Sequence, residues 1–249
     1  MDEREFLKKR LTELYRKSVE RGIYTYTDFL CLAEQSVFAE IKGSFQKDSY
    51  TIFGGVEGTE RVIVRFGEEG SFGPDFPITC IKAAPVSQKF ADKLTHRDFL
   101  GALLNLGIER KTLGDIAIVD NVGYIFAHTD VAQHIINELG RVKRTDVTLS
   151  VTDAPMGAEL YKTERRRVQA VGERIDAIIS KLFSLSRDEA NSLFTKSLVF
   201  VDGRLCENNS YVLKECEIVS VRGHGRFIYR GYETTTRKGK LNIEVDVYV

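Results

Sequence analysis

The stretch from Arg174 to Arg226 constrains the chain most. Ile175, Ile178, Ile179, Leu182 and Phe183 fall at i, i+3, i+4, i+7 and i+8. That is the spacing of one buried helix face. Ser186-Arg187-Asp188-Glu189 follows. A Ser with Glu three residues on forms a capping box, so a second helix starts there, with Ala190, Leu193 and Phe194 inside. After Ser197 the period changes. Leu198 to Val201 is β-branched and aromatic, Asp202-Gly203 is a hairpin signal, and Ile218 to Val221 is a second apolar run. Two short helices followed by a small twisted sheet is the expected arrangement.

The cations Arg174, Lys181, Arg187, Lys196, Arg204, Lys214, Arg222 and Arg226 lie off the buried faces. A compact helix pair with a basic outer face suits a polyanion with regularly spaced phosphates. This order of elements resembles the S-four RNA-binding domain, also called the α-L module. The matching pieces are R-I-D, L-S-R-D-E-A, V-F-V-D-G and I-V-S-V-R-G-H-G-R-F, in the family's order over about fifty residues. Two positions depart from its pattern. Glu215-Cys216-Glu217 stands where a Gly-Asp turn is usual, and Asp202-Gly203 where Asn-Gly is frequent. The resemblance implies RNA contacts from Arg174, Lys181, Ser186, Arg187, Lys196, Arg204, Lys214, Arg222, Gly223, His224, Gly225 and Arg226.

The chain has 249 residues, 43% hydrophobic and 29% charged, with zero formal net charge. Those proportions are those of a soluble globular protein of two or three domains. Neutrality at first argues against nucleic acid, but the charge is unevenly spread. Residues 161–240 hold 16 Lys and Arg against 10 Asp and Glu, a surplus of six positive charges. Local sign matters more than the sum. Cys31, Cys80, Cys206 and Cys216 are widely spaced, which fits neither zinc nor a disulfide framework and predicts buried or half-buried free thiols. His96, His128, His134 and His224 lack metal-ligand spacing. No apolar run is long enough to span a membrane, and MDEREFLKKR lacks a secretory apolar core. The expected location is the cytoplasm.

Upstream, Leu7, Leu11, Leu14 and Tyr15 predict a helix over residues 3–21 that ends at Gly22. A second helix is expected from Thr27, with Phe29, Leu32, Ser36 and Val37 inside. Tyr50–Phe53 and Arg61–Phe66 read as a hairpin-like pair. The intervening GGVEGTE has no Lys after its last Gly and is a turn, not a phosphate loop. The Gly- and Pro-rich run from Gly67 to Pro77 marks a boundary. Then strands at 78–84, 116–119, 124–127 and 147–151 alternate with helices at 96–106 and 131–139. That is the βαββαβ order of ferredoxin-like domains. The aromatic sheet signature of an RNA-recognition motif is absent.

Thr95-His96-Arg97-Asp98 touches two catalytic patterns, the kinase triplet and the H-R-L-D run of pseudouridine synthases. Neither is completed downstream, and a Thr95 cap with Asp98 in the first turn explains the run better. Catalytic residues, metal ligands, cofactors and small-molecule substrates are therefore not expected. Arg97, Arg110, Lys111, Arg165, Arg166, Arg167, Arg237, Lys238 and Lys240 form a second set of candidate RNA contacts, with Arg165–Arg167 read as a linker or an extension of the basic face. The alternating Leu241, Ile243, Val245 and Val247 predict a strand that returns to a sheet.

With LTHRDFLGALLNLGIERKTLGDI ahead of the module, the whole chain resembles the YlmH family of bacterial RNA-binding proteins. The resemblance implies an α+β chain of three domains: a helical region with a hairpin (1–75), an RNA-recognition-like ferredoxin-like domain (76–156) and the S-four domain (157–249, core 172–228). It also implies a non-catalytic protein, associated with the large ribosomal subunit, that clamps structured rRNA and/or tRNA. Its expected role is in the handling of stalled nascent chains, with a link to cell division. The alternative is an RNA-modifying enzyme, pseudouridine-synthase-like or methyltransferase-like, targeted by the same module.

Overall fold

The computed structural model describes residues 2–68, 70–73, 75–236 and 239–248. The chain is α+β. It divides after Tyr161 into two compact units, residues 1–161 and 162–249.

The first unit begins with α1 (Glu3–Arg21), β1 (Thr25–Tyr26), α2 (Leu32–Ile41), β2 (Tyr50–Phe53) and β3 (Ile63–Phe66). Asp2 caps α1, and Gly22 closes it in the left-handed region at φ 60°. The three strands form a sheet in the order β1-β3-β2 over Leu11, Leu30, Phe38, Phe45 and Phe66. The helix expected from Thr27 starts five residues later. Residues 27–30 are drawn out along β3: Thr27 N donates to Val64 O at 3.0 Å and Leu30 N to Val62 O at 2.7 Å. Cys31 then caps α2, and its N–H donates to Glu34 Oε2 at 2.7 Å.

Next come β4 (Ile78–Pro85), α3 (His96–Asn105), β5 (Leu113–Val119), β6 (Val122–His128), α4 (Thr129–Glu138), β7 (Arg141–Val142), β8 (Thr145–Val151) and α5 (Gly157–Leu160). The sheet order is β5-β6-β4-β8-β7, all antiparallel, with α3 and α4 packed on one face over Ile81, Leu103, Ile125 and Ile135. The expected βαββαβ order is present, with the short β7 added.

Residue 75 is not a boundary between compact units. Phe29 and Ile63 from the first sheet's side share one core with Cys80, Ala117, Phe126 and Leu160. Polar bonds reinforce it. Arg61 donates to Leu113 O at 2.9 Å and to Phe29 O at 2.6 Å. Asp115 accepts from the backbone N–H groups of Glu60 (2.6 Å) and Arg61 (2.9 Å) and from Tyr161 Oη at 3.2 Å. The boundary expected at 156 moves for the same reason: Leu160 on α5 is part of this core. Burial of apolar surface from both sides, about 25 cal/mol per Å², overrides the Gly- and Pro-rich composition of the connection.

The second unit holds β9 (Thr163–Ala170), α6 (Ile175–Leu182), α7 (Arg187–Thr195), β10 (Val199–Val201), β11 (Arg204–Leu205), β12 (Ile218–Val221), β13 (Gly225–Thr235) and β14 (Leu241–Tyr248). They form a six-stranded sheet in the order β11-β10-β12-β13-β14-β9. Ile175, Ile178 and Ile179 of α6 and Ala190, Leu193 and Phe194 of α7 are buried on one face of it, against Val219, Phe227, Tyr229 and Val245. The Asp202-Gly203 hairpin and the returning last strand are present.

All four cysteines are free thiols: Cys80 and Cys206 are buried, Cys31 is half-buried, and Cys216, against expectation, is exposed. Burial pushes the Cys80 thiol up to about 11. Among the described residues no helix is long and apolar enough to cross a membrane, and no three His, Cys, Asp or Glu are grouped to hold a metal.

Candidate nucleic-acid interface

The helix pair is fixed before any cation is placed. Ser184 turns the chain at φ 55°, and Ser180 Oγ donates to Leu185 O at 2.7 Å, which closes the corner. Ser186 caps α7: its Oγ accepts from Glu189 N at 3.2 Å, while its own N–H donates to Glu189 Oε2 at 2.8 Å. The Ser186 backbone N–H first, then its side chain, holds the Glu189 carboxyl below its ordinary range. Ser186 was expected as an RNA contact; its hydroxyl is engaged as a cap. At the start of α6, the fully buried Tyr229 donates its phenol to the Glu173 carboxylate. Burial, then this bond, raises the Tyr229 pKa. The bond ties the residue before Arg174 to the sheet.

Arg174, Lys181 and Arg187 line one cleft of about 510 Å³, together with Gln169–Gly172, Ser180, Asn191 and Lys240. Strand register explains Lys240. Leu241 pairs with Ala170, so the residue before β14 lies beside the one that leaves β9 toward α6. The turn is tied by Lys240 N donating to Thr236 Oγ1 at 3.0 Å and Thr236 N to Lys240 O at 2.7 Å. The cleft's lining includes one acid, Asp176, which accepts from Arg174 at 2.7 and 3.1 Å. Among the described residues Lys181 and Arg187 are exposed and carry no ion pair.

The other predicted contacts separate from this cleft. Gly223, at φ 84°, shapes the β12–β13 turn, and Gly225 lies in that turn's return at φ 143°. His224 stands 5.7 Å from the Phe183 ring at the end of α6, centroid to centroid. The Arg222 guanidinium lies 5.7 Å over the Phe200 ring. Arg226 turns away. Its neighbours Gly225 and Phe227 face the helices, while its guanidinium lies 4.5 Å over Tyr248. Arg204 lines a separate recess with Asp202, Glu207 and Glu217. Lys196 and Lys214 are exposed on the ends of α7 and of the 214–217 turn, outside the cleft.

Of the second set, Arg165, Arg166 and Arg167 are a strand rather than a linker. β9 pairs along all of β14, which sets Arg165 against Asp246 and Arg167 against Glu244. Asp246, 7% exposed, accepts from Arg165 Nε at 2.6 Å and from Arg230 Nε at 2.7 Å. Arg165 first, then Arg230, holds its carboxyl below the usual range. Arg167 bonds Glu244 and Glu233, and Arg166 meets Glu164 at 3.2 Å. Arg110 points inward to Leu113 O at 2.7 Å, and Lys111 meets Glu109 at 2.8 Å. Arg97 is exposed beside Asp98, Arg141 and Lys143. Asp98 accepts from Thr95 N at 2.8 Å and Lys143 Nζ at 3.2 Å, as a helix cap does. Arg237 and Lys238 lie outside the described residues.

Sequence reasoning missed Glu173, Tyr229 and Asp246. The signal for Asp246 was present: between the inward Ile243, Val245 and Val247, the intervening Glu244 and Asp246 must share the opposite face.

Residues 74–155 match the family model described as "Putative RNA-binding domain in YlmH". The chain is 29% identical, over 97% of its length and 94% of the relative's, to the Bacillus subtilis (strain 168) protein named ribosome-associated protein quality control protein P2. The structure of the cell division protein ylmH from Streptococcus pneumoniae aligns at 24% identity and a TM-score of 0.46, over 61% of this chain and 92% of that one.

Proposed function

We propose that this chain, which is similar to the YlmH family in its middle domain and to a ribosome-associated relative over most of its length, is a non-catalytic RNA-binding protein acting on ribosomes in the cytoplasm. Residues 162–249 act as an α-L module that clamps structured rRNA or tRNA of the large subunit, in quality control of stalled nascent chains. The name of the Bacillus subtilis relative supports the ribosomal setting. Functionally the chain works as three parts: the helical start, the RNA-binding middle domain and the module.

One observation carries the reading. Three helix-pair cations and Lys240 converge on a single cleft whose lining holds one acid. Phosphate contacts of this kind give affinity and register, while selectivity comes from the shape of the folded RNA. Arg174 meets a phosphate only by giving up Asp176, so three to four such contacts give a log–log salt slope of about −2 to −3.

The test is binding of the whole chain to ribosomal subunits and to rRNA fragments across a salt series. Arg187→Glu should weaken every productive RNA and reduce the slope by about one. Unchanged affinity and slope overturn the clamp. Mass analysis of rRNA nucleosides with and without the gene tests the rest: a lost modification overturns the non-catalytic part.

A further inference from the structure

The five-stranded sheet of the middle domain is covered on both faces over most of its area. Its helix side buries Ile81, Ala83, Ile125 and Ala127. The other side is where sheet-type RNA-binding domains stack unpaired bases on aromatic rings. Here Cys80, Ala117 and Phe126 are buried on that side beneath Phe29, Ile63 and Leu160.

One end of the sheet is different. The loop between β4 and α3 carries Phe90, 82% exposed, and Lys89, whose Nζ stands 5.6 Å from the Phe90 ring centroid. The loop is tied down on both sides. Val86 N donates to Asp146 O at 2.9 Å, and Gln88 Nε2 to Asp120 O at 3.2 Å. Asp92 N donates to Thr145 Oγ1 at 2.8 Å, and Asn121 Nδ2 to Asp92 O at 2.9 Å. Lys93, next along, has no ion pair among the described residues and is exposed. An aromatic ring held out by a pinned loop forgoes the burial it would gain elsewhere.

We propose that this end of the sheet takes an unpaired nucleobase stacked on Phe90, with the flanking phosphates on Lys89 and Lys93. Base–aromatic stacking needs one open ring face and nearby cations. A protein interface instead clusters several apolar anchors, and on this loop Val86 is the other exposed large apolar residue. The proposal rests on the reading that the chain meets RNA, and places a second contact on a different part of it.

The experiment uses the full chain and two probes: an RNA hairpin whose unpaired loop carries a fluorescent adenine analogue, and the blunt duplex of the same stem. Phe90→Ala should lose about tenfold in hairpin affinity, with duplex affinity and melting temperature unchanged. Phe90→Tyr should keep the hairpin affinity. Equal hairpin affinity in Phe90→Ala and the wild type overturns the proposal. So does loss of ribosome pelleting by Phe90→Ala with hairpin affinity intact, which would assign the ring to a protein partner. Arg187→Glu separates the two readings. If it binds both probes like the wild type while Phe90→Ala still loses the hairpin, the helix-pair clamp fails and the stacking site stands.

Discussion

On the helix side of the sheet in residues 162–249, Lys181 and Arg187 face solvent with no carboxylate partner among the described residues. On the opposite side, Arg165, Arg167 and Arg230 are matched by Asp246, Glu244 and Glu233. Both faces are rich in arginine and lysine. The difference lies in what stands opposite each cation. A guanidinium already bonded to a carboxylate must give that bond up to meet a phosphate, so the sheet face stabilises the fold while the helix face remains open to a ligand.

The comparison breaks first at Asp246. Asp246→Ala should cost about 2 kcal/mol of stability, less than for a fully buried pair because both arginines reach solvent. Urea unfolding measures it. RNA affinity should stay unchanged; a large fall in affinity with little loss of stability would mean that the sheet face is the binding face. The pH dependence follows the same groups. Asp246 is held low by Arg165, and Glu244 by Arg167. Their contribution is full above the unfolded carboxylate values of about 4 and is lost as pH falls through the depressed folded ones. The urea midpoint should therefore drop on the acid side below about pH 4, and less steeply in Asp246→Ala.

The second test is on the helix face. Arg187→Glu should reduce RNA affinity about tenfold at moderate salt, read by fluorescence anisotropy, with no change in the urea midpoint. A smaller effect sharpens the view of the cap. Ser186→Ala should cost about 1 kcal/mol of stability by removing the hydroxyl that accepts from Glu189 N, and should weaken RNA binding only as far as it loosens α7. Smallest of all is Arg166→Ala. Its partner Glu164 is even more exposed than Arg166 itself, so both stability and affinity should be indistinguishable from wild type. An RNA defect there would move the interface to the sheet edge.

Much of this unit was legible in the sequence because its signals are local. The 3.6-residue spacing from Ile175 to Phe183, the Ser186–Glu189 box and the Asp202-Gly203 turn each need only a short window of chain. The strand β9 does not announce itself. Glu164-Arg165-Arg166-Arg167 shows no apolar–polar alternation, and its partner β14 lies about eighty residues away. Lys240 joins the cleft through that same pairing, so it could be named from sequence as a candidate but not positioned. In residues 1–161 the Gly- and Pro-rich connection hid a shared core. Phe29, Ile63 and Phe126 each look like ordinary interior residues of their own segment, and only the fold reveals that they meet.

The order in which this sheet is assembled has a consequence for a protein made on the machine it is proposed to serve. The first strand of residues 162–249 to be synthesised, β9, joins the sheet only through the last, β14. Until residues 241–248 have emerged, β9 has no partner strand and the turn that carries Lys240 is not closed. The four-cation cleft is thus completed only when β14 pairs with β9, later than the helix pair that supplies three of its cations.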